Sequence, residues 1–176
     1  MTRILVGATT LIALGTADRL DLLTCFDGRL ALYRAVTAEV TTQPAKENLR
    51  QFRVDQGLVE LSSPAPDWMA RARELLGERE DDGDVILVAA VLPADGGVAL
   101  VSDDRRLRSV ADGLGARVTG TVGVVVRAVA EGELSRQEAR ALVRRLDSRG
   151  LHMTGELREK ADELIENAVR ENDDED

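Results

Sequence analysis

The segment Val98-Ala-Leu-Val-Ser-Asp-Asp-Arg-Arg-Leu-Arg108 begins with four consecutive apolar residues and then changes abruptly to charged ones. A short apolar run of this kind, preceded by a glycine pair, predicts a buried strand. The following residues, Arg105 to Leu114, predict a helix that ends at Gly115. The predicted strand therefore ends at two adjacent carboxylates, Asp103 and Asp104.

The same alternation of short apolar strands and helices of about ten residues extends through most of the chain. Further strands are predicted at Arg3–Val6, Arg29–Tyr33, Leu58–Leu61 and Arg117–Val118. Helices are predicted at 11–14, which either Thr9 or Thr10 would cap, and from Asp18, at 35–42, 47–54, 67–76 and 122–130. Such alternation is typical of an α/β fold with a mostly parallel sheet.

The apolar run from Val85 to Pro93 has two interpretations. Its β-branched residues favour a strand. Its length and the negative charge of Asp84 at its start favour a buried helix. The sequence pattern leaves both open.

The chain divides into three predicted parts. Residues 1–132 form the α/β domain, residues 133–170 form a helical pair packed on it, and residues 171–176 form an acidic tail. Ser135-Arg-Gln-Glu138 has the spacing of a capping box, which predicts a helix N-terminus there. Trp68 and Leu75 share one side of the 67–76 helix with Met69, and we expect that side to face the core or an interface.

Composition excludes several classes of protein. One cysteine, Cys25, and one histidine, His152, rule out an internal disulfide, a cysteine-based zinc site and a His-rich metal site. No apolar run approaches the roughly 20 residues that a membrane-spanning helix needs. Because no secretory signal is recognisable, we expect a cytoplasmic protein without membrane contact.

The net charge is −9, and Lys46 and Lys160 are the only lysines among 23 basic residues. Abundant carboxylate with scarce lysine and few aromatic residues indicates adaptation to high salt, where screening removes long-range repulsion. An acidic body is a poor general binder of nucleic acid. A local basic patch beside an acidic pocket stays compatible with this charge.

In parallel sheets, ligands bind beyond the carboxyl ends of the strands. The residues directly after the first predicted strand are Gly7-Ala-Thr-Thr10, and those after Val101 are Ser102-Asp103-Asp104. Together with Glu39 and Asp84, these could bring three or four carboxylates to one edge. Clustered carboxylates repel unless a cation neutralises them, and oxygen ligands suit Mg²⁺ or Mn²⁺. The alternative is that they are helix caps, turns and solvated faces.

Five short segments in this order resemble PIN-domain proteins, in particular the toxin-type endoribonucleases and their archaeal relatives. The segments are Ile4–Leu14, Ala35–Val40, Gly83–Ala90, Val98–Arg108 and Ala116–Val124. The resemblance covers about residues 3 to 132, and a C-terminal helical pair fits the same subgroup. It implies a three-layer α/β/α sandwich and cleavage of single-stranded RNA that depends on Mg²⁺ or Mn²⁺.

Carried over by position, the resemblance implies roles for individual residues. The metal-binding, catalytic acids would be Glu39, Asp84 and Asp103, with Asp104 beside them. Asp81 and Asp82 compete with Asp84, which stands directly before the apolar run. The hydroxyl that supports such sites would be that of Thr9 or Thr10. The arginines Arg105, Arg106 and Arg108 would hold RNA phosphates, or would form local ion pairs.

The sequence departs from the family pattern at Gly7, where the pattern has an aspartate directly after the first strand. Loss of that carboxylate removes one metal ligand, so activity is expected to be weak or absent. The protein is then either a weakened ribonuclease or a catalytically dead interaction or regulatory module. A third alternative is another Rossmann-like fold that binds a phosphate ligand. The family further implies an antitoxin partner, and a homodimer is a further expectation.

Overall fold

The structure, a computed structural model, describes the backbone of residues 1–175 and the side chains of residues 1–172. Within these residues the strands are β1 (Arg3–Val6), β2 (Arg29–Ala31), β3 (Val98–Val101) and β4 (Arg117–Thr119). They form one sheet in the order β2-β1-β3-β4, and every pairing is parallel. Ile4 lies opposite both Leu30 and Ala99, which fixes the register of the central strands.

Helices follow the strands and fill the segments between them. They are α1 (Ala8–Thr16), a 3-10 helix (Leu20–Cys25), α2 (Arg34–Ala38), α3 (Ala45–Asp55), α4 (Pro66–Leu76), α5 (Gly83–Val91), α6 (Arg105–Gly113), α7 (Thr121–Ala130), α8 (Arg136–Leu146) and α9 (Gly155–Glu175). Within the described part of the chain, none of these helices combines the length and the apolar character needed to cross a membrane.

The sheet is covered on both faces. All four residues of β3 are buried, as are Ile4, Leu5 and Val6 of β1, although successive side chains point to opposite faces. The helices pack in two groups, one containing α1, α3, α7, α8 and α9 and the other containing α2, α4, α5 and α6. Two helical layers around an all-parallel sheet confirm the predicted α/β fold class.

The apolar run after Asp84 is a helix, α5, and not a strand. Every residue of α5 except Asp84 is buried, so the helix is apolar on all sides. Asp82 caps it by accepting a hydrogen bond from the Val85 backbone N–H at 2.9 Å. The cap satisfies one of the first amides of the helix, which have no partner within the helix itself.

Several predicted boundaries differ from the structure. The first helix begins at Ala8, and Gly7 is its N-cap, so neither Thr9 nor Thr10 caps it. The α2 helix ends at Ala38 and leaves Glu39 as the residue that terminates it. The strand predicted over 58–61 is reduced to a single parallel bridge between Tyr33 and Leu61. Short segments of this kind gain their conformation from neighbours more than from their own sequence.

The predicted apolar side of α4 is rotated in the structure. Met69, Ala72 and Leu76 are buried, whereas Trp68 is 40% exposed and Leu75 is 36% exposed. The buried set follows the i, i+3, i+7 spacing of one helical face. Met69 of the predicted side therefore faces the core, whereas Trp68 and Leu75 do not, and the expectation of an interface for these two stays a prediction.

The C-terminal helices pack on α7, and the predicted capping box is present at Ser135 and Glu138. A π-helical turn, Asp147–Leu151, joins α8 to the segment before α9. Gly150 (φ 112°) and His152 (φ 47°) both have left-handed backbones in this connection. The α9 helix continues through residues 171–175, and Asp176, the end of the predicted acidic tail, lies outside the described residues.

Candidate active site

A pocket of about 260 Å³ lies beyond the carboxyl ends of β1 and β3, which is where the parallel topology places ligand sites. Four of its lining residues are acidic, and we call it the acidic pocket. It is lined by Ala8, Thr9, Glu39, Asp82, Asp84, Ser102 and Asp104. The structure thus brings together four carboxylates that are far apart in the sequence.

Glu39 reaches the pocket because of a glycine on the opposite wall. Its Oε1 accepts a hydrogen bond from the Gly83 backbone N–H at 2.8 Å. A Cβ atom at position 83 would overlap this carboxylate oxygen, so only glycine permits the contact. The contact joins the end of α2 to the N-terminus of α5, where the helix dipole favours a negative charge.

Asp82 and Asp104 occupy equivalent positions on two different helices. Asp82 is the N-cap of α5, and Asp104 is the N-cap of α6, accepting from the Leu107 backbone N–H at 2.7 Å. The Asp104 backbone N–H in turn donates to Ser102 Oγ at 3.2 Å. Each cap uses one carboxylate oxygen, which leaves the other oxygen for a ligand.

Asp84 has the most perturbed carboxyl group of the pocket. Its pKa is raised to about 6, and burial is the largest cause. The carboxylates of Asp104, Asp82 and Glu39 raise it further, in that order. The guanidinium of Arg106 acts in the opposite direction. A half-buried acid with three negative neighbours is a site where a cation would be stabilising.

Asp103, adjacent to Asp104, does not line the acidic pocket. Its two carboxylate oxygens accept from the backbone N–H of Thr121, at 2.8 Å, and from the Thr121 hydroxyl. That hydroxyl also lies 3.1 Å from the buried hydroxyl of Thr10. A Cβ atom at Gly120 would lie 2.7 Å from Asp103 Oδ1, so glycine is needed for this close approach. Asp103 therefore anchors the start of α7 to the end of β3.

The two threonines after the first strand have different environments. Thr9 is exposed and lines the acidic pocket, whereas Thr10 is fully buried beside Thr121. Thr9 is therefore the hydroxyl that a ligand in the pocket could contact directly. Thr10 can act on that site only through its contact with Thr121.

The three arginines at the start of α6 are also in different environments. Arg106 forms an ion pair with Glu78 and donates a hydrogen bond to the Leu76 carbonyl at 3.1 Å. Among the described side chains, Arg105 and Arg108 form no ion pair with a carboxylate. The guanidinium groups of Arg105 and Arg108 are consequently the two of this set that could bind a phosphate.

Gly7 is buried against Ser102. A Cβ atom added at position 7 would lie 2.9 Å from Ser102 Oγ and 3.1 Å from Ser102 Cβ. An aspartate there could be accommodated only if the buried Ser102 side chain moved. Gly7 thus carries no carboxylate, and the Ser102 side chain occupies the space beside it.

The acidic pocket has the ligand types of a divalent metal site but not the arrangement of one. Four oxygen ligands that repel one another are the donors that Mg²⁺ and Mn²⁺ prefer. Among the residues that the structure describes, however, no group of three or more Asp, Glu, His or Cys side chains is arranged to hold a metal ion. The residue types therefore fit a hard divalent cation, but within the described residues they are not arranged as a three-ligand site.

Two pocket residues had little or no signal in the sequence. Asp82 competed with Asp84 for one position, and the structure places both in the pocket. The spacing from Asp82 to Val85 is that of an N-cap, and it could have shown that both acids belong to one helix start. Ser102 was named only as part of the segment after the strand, and its role was not predicted because that role depends on its distance from Gly7.

An acidic pocket beyond the carboxyl ends of parallel strands lies where α/β folds bind their ligands. The family model described as PIN domain matches residues 3–167, nearly the whole chain. This chain therefore belongs to the PIN-domain family. Neither the curated proteins nor the solved structures gave a match.

Proposed function

We propose that this protein is a PIN-family phosphodiesterase that cleaves single-stranded RNA slowly. The observation that carries the proposal is the convergence of Glu39, Asp82, Asp84 and Asp104 in one pocket at the carboxyl edge of the sheet. Membership of a nuclease-type family supports it. The missing carboxylate at Gly7 is the reason for expecting slow cleavage.

In this proposal Glu39, Asp84 and Asp104 would hold Mg²⁺ or Mn²⁺. When bound, such an ion would supply activation of water and stabilisation of the negative charge on the scissile phosphate. Glu39 and Asp104 are already held by the N-termini of α5 and α6, so their positions cost little further ordering. Asp84 makes no such contact among the described hydrogen bonds, and it is the side chain that would adjust.

The test is cleavage of a labelled single-stranded RNA by the purified protein in high KCl, with Mn²⁺ and with EDTA. We expect slow cleavage that EDTA abolishes and that Asp84→Asn reduces at least 100-fold. The matched control is Asp81→Asn, since Asp81 pairs with Arg73 and does not line the pocket. Cleavage that survives both EDTA and Asp84→Asn would refute the assignment.

A second comparison separates Asp103 from Asp104. The geometry favours Asp104 as the third carboxylate of the site, because Asp103 is hydrogen-bonded to Thr121. Asp104→Asn keeps an N-cap oxygen for α6 and should reduce cleavage with little loss of stability. Asp103→Ala, which removes both acceptors of Thr121, should instead lower stability first. The reverse pattern would restore Asp103 to the catalytic set.

Restoring the family's first aspartate is the sharpest test of the role of Gly7. Gly7→Asp alone is expected to gain little, because its Cβ would lie 2.9 Å from Ser102 Oγ. Gly7→Asp combined with Ser102→Ala removes that oxygen and should raise the rate of cleavage. Ser102→Ala alone is the control, because Ser102 Oγ also accepts from the Asp104 backbone N–H. If the double variant cleaves no faster than Ser102→Ala, the missing carboxylate is not what limits the reaction.

The second candidate function is a non-enzymatic interaction or regulatory module. It is favoured by the absence, among the described residues, of three carboxylates or other ligands arranged for a metal, and by Gly7. It predicts no cleavage in either parent or double variant, and recovery of the same partner by the parent and by Asp84→Asn. The antitoxin partner and the homodimer are further proposals, to be tested by co-expression with the adjacent reading frame and by light scattering.

A further inference from the structure

Two more cavities continue from the acidic pocket towards the C-terminal helices. One, of about 310 Å³, lies between α1 and the turn after α8, and it shares Thr9 with the acidic pocket. The other, of about 590 Å³, lies between the starts of α6 and α7 and the start of α9. Both are lined by Asp103, Leu151 and His152, so they adjoin one another. We call the two together the C-terminal groove.

The charge of the C-terminal groove is opposite to that of the whole protein. Its cationic lining residues are Arg105, Arg108, Arg149 and Lys160. Its acidic lining residues are Asp103 and Glu156, and the carboxylate of Asp103 is already hydrogen-bonded to Thr121. In a chain of net charge −9, a positively charged groove is a surface to which an anionic ligand is attracted locally.

Three guanidinium groups in the groove are available to such a ligand. Within residues 1–172, Arg105, Arg108 and Arg149 form no ion pair, and Arg149 donates only to the Thr16 carbonyl at 2.9 Å. Their neighbour Arg106, outside the groove, is paired with Glu78. Arginines that hold no carboxylate can bind phosphate oxygens without first breaking an ion pair.

The lining also contains polar residues and apolar side chains, and the apolar ones include Val118, Val122, Leu151 and Leu164. Unpaired bases can pack on such surfaces, whereas the bases of a duplex are stacked inside it. No Phe, Tyr or Trp lines the groove, so most of the affinity should come from the phosphates. A groove that combines cationic and apolar side chains suits a single strand.

We propose that the C-terminal groove is the path by which single-stranded RNA reaches the acidic pocket. Arg105 and Arg108 contact phosphates from the α6 wall, and Arg149 and Lys160 contact them from the wall formed by the C-terminal helices. This inference rests on the proposed function, because the strand is assigned as the substrate of the acidic pocket. It gives the C-terminal pair a binding role besides its packing on α7.

The experiment measures binding without cleavage. A fluorescent 20-nucleotide single-stranded RNA is titrated in EDTA, and its anisotropy is recorded at several KCl concentrations. The groove variant is Arg108→Ala with Arg149→Ala and Lys160→Ala. The matched control is Lys46→Ala with Arg79→Ala and Arg144→Ala, which are exposed, unpaired among the described side chains and outside the groove. Both variants lower the net charge equally.

We expect the groove variant to bind RNA at least 10-fold more weakly and the control less than 2-fold. The slope of log affinity against log salt should fall by about 2, since each lost phosphate contact on a single strand contributes about 0.7. Arg105→Glu, a single exposed change, guards against misfolding of the triple variant and should weaken binding several-fold. Equal losses in both triple variants, or tighter binding of duplex RNA, would overturn the proposal.

The same assays separate this inference from the proposed function. Asp84→Asn should bind RNA at least as tightly as the parent while losing cleavage. If the groove variant binds normally and Asp84→Asn stops cleavage, the groove assignment is wrong and the enzymatic one stands. If nothing cleaves but the groove variant binds more weakly, the groove is an RNA site on an inactive domain. A parent that binds no single-stranded RNA refutes both.

Discussion

Asp103 and Asp104 are adjacent in the chain but have different roles. Asp104 caps α6 and lines the acidic pocket, while Asp103 holds the start of α7. The backbone after β3 directs these two adjacent side chains to different neighbours. Which of the two carboxylates lines the acidic pocket depends on that backbone direction, since both residues are aspartates.

The raised pKa of Asp84 predicts an unusual dependence of stability on pH. Its pKa is about 6 in the folded protein and 3.8 when unperturbed, so the folded state binds the proton more tightly. The contribution of this group to stability therefore falls as the pH rises from about 4 to 6. Asp84→Asn should be more stable than the parent at pH 7.5, by about 1–2 kcal/mol after allowance for solvent screening.

The measurement is the difference in unfolding free energy between parent and Asp84→Asn from pH 4.5 to 7.5. That difference should shrink towards pH 4.5, because the parent carboxyl is then largely protonated. Asp67→Asn, an exposed change in the first turn of α4, is the control and should give a difference that varies little. A difference in unfolding free energy between parent and Asp84→Asn that stays constant from pH 4.5 to 7.5 would contradict the prediction.

Gly83 is expected to be essential for the position of Glu39. Alanine normally stabilises a helix relative to glycine, but a Cβ at position 83 would overlap Glu39 Oε1. Gly83→Ala should therefore lower stability and reduce any cleavage. Gly113→Ala, in α6 with no neighbouring atom within 4 Å, should leave stability unchanged or raise it slightly. Thermal unfolding and the RNA cleavage assay compare Gly83→Ala with Gly113→Ala. Similar stability and cleavage in the two variants would show that Glu39 moves aside without cost.

At the scale of elements, the acidic pocket is built from helix starts. The starts of α5 and α6 present Asp82 and Asp104 as their caps, and α5 also binds Glu39 through Gly83. Backbone N–H groups and the helix dipole favour negative charge at these positions. A pocket built in this way can gather carboxylates that repel one another, because part of the cost is offset locally.

The start of α7 depends on an acceptor from another element. Gly120, its N-cap, has no side chain to accept a hydrogen bond, and Asp103 supplies the acceptor for Thr121 instead. Asp103→Ala would leave a buried N–H and a buried hydroxyl without this partner, so we expect a loss of about 1–3 kcal/mol in unfolding free energy. Ser109→Ala, an exposed change on α6, is the control for urea denaturation and should cost much less. Equal stability of the two variants would show that water replaces Asp103.

At the scale of the whole molecule, salt should affect the acidic surface and the C-terminal groove in opposite ways. Screening relieves the repulsion of a chain with 32 acidic residues, but it also weakens phosphate contacts. Folding should therefore improve with salt while RNA binding declines. An optimum of RNA cleavage at intermediate salt is the consequence.

Salt dependence of stability tests this reading of the composition. The midpoint temperature of thermal unfolding should rise as KCl increases from 0.1 M to about 2 M. Repulsion between surface carboxylates extends over about 10 Å at 0.1 M salt and over a shorter distance at higher salt, so added KCl weakens it. A non-ionic osmolyte at matched osmolality is the control and should give a smaller rise. Stability indifferent to KCl would count against adaptation to high salt.

Much of this fold could be predicted from the sequence. The strands at Arg3–Val6 and Val98–Val101 are continuous apolar runs, and the Ser135 capping box gives one helix start directly. The sequence did not predict the end of α2 at Ala38, nor the exposure of Trp68. These features depend on which neighbours are available to bury a side chain or to bind the last residues of a helix.

The candidate site divides in the same way. The sequence predicts that the site lies beyond the strand ends and contains many carboxylates. Both features can be recognised locally, since apolar runs and acidic helix starts are properties of a few consecutive residues. Which acids meet was decided only by the tertiary structure. Asp82, Asp84, Asp104 and Glu39 converge, Asp103 turns to Thr121, and Ser102 occupies the space beside Gly7. Contacts between residues distant in sequence depend on how whole elements pack, and no local pattern records that packing.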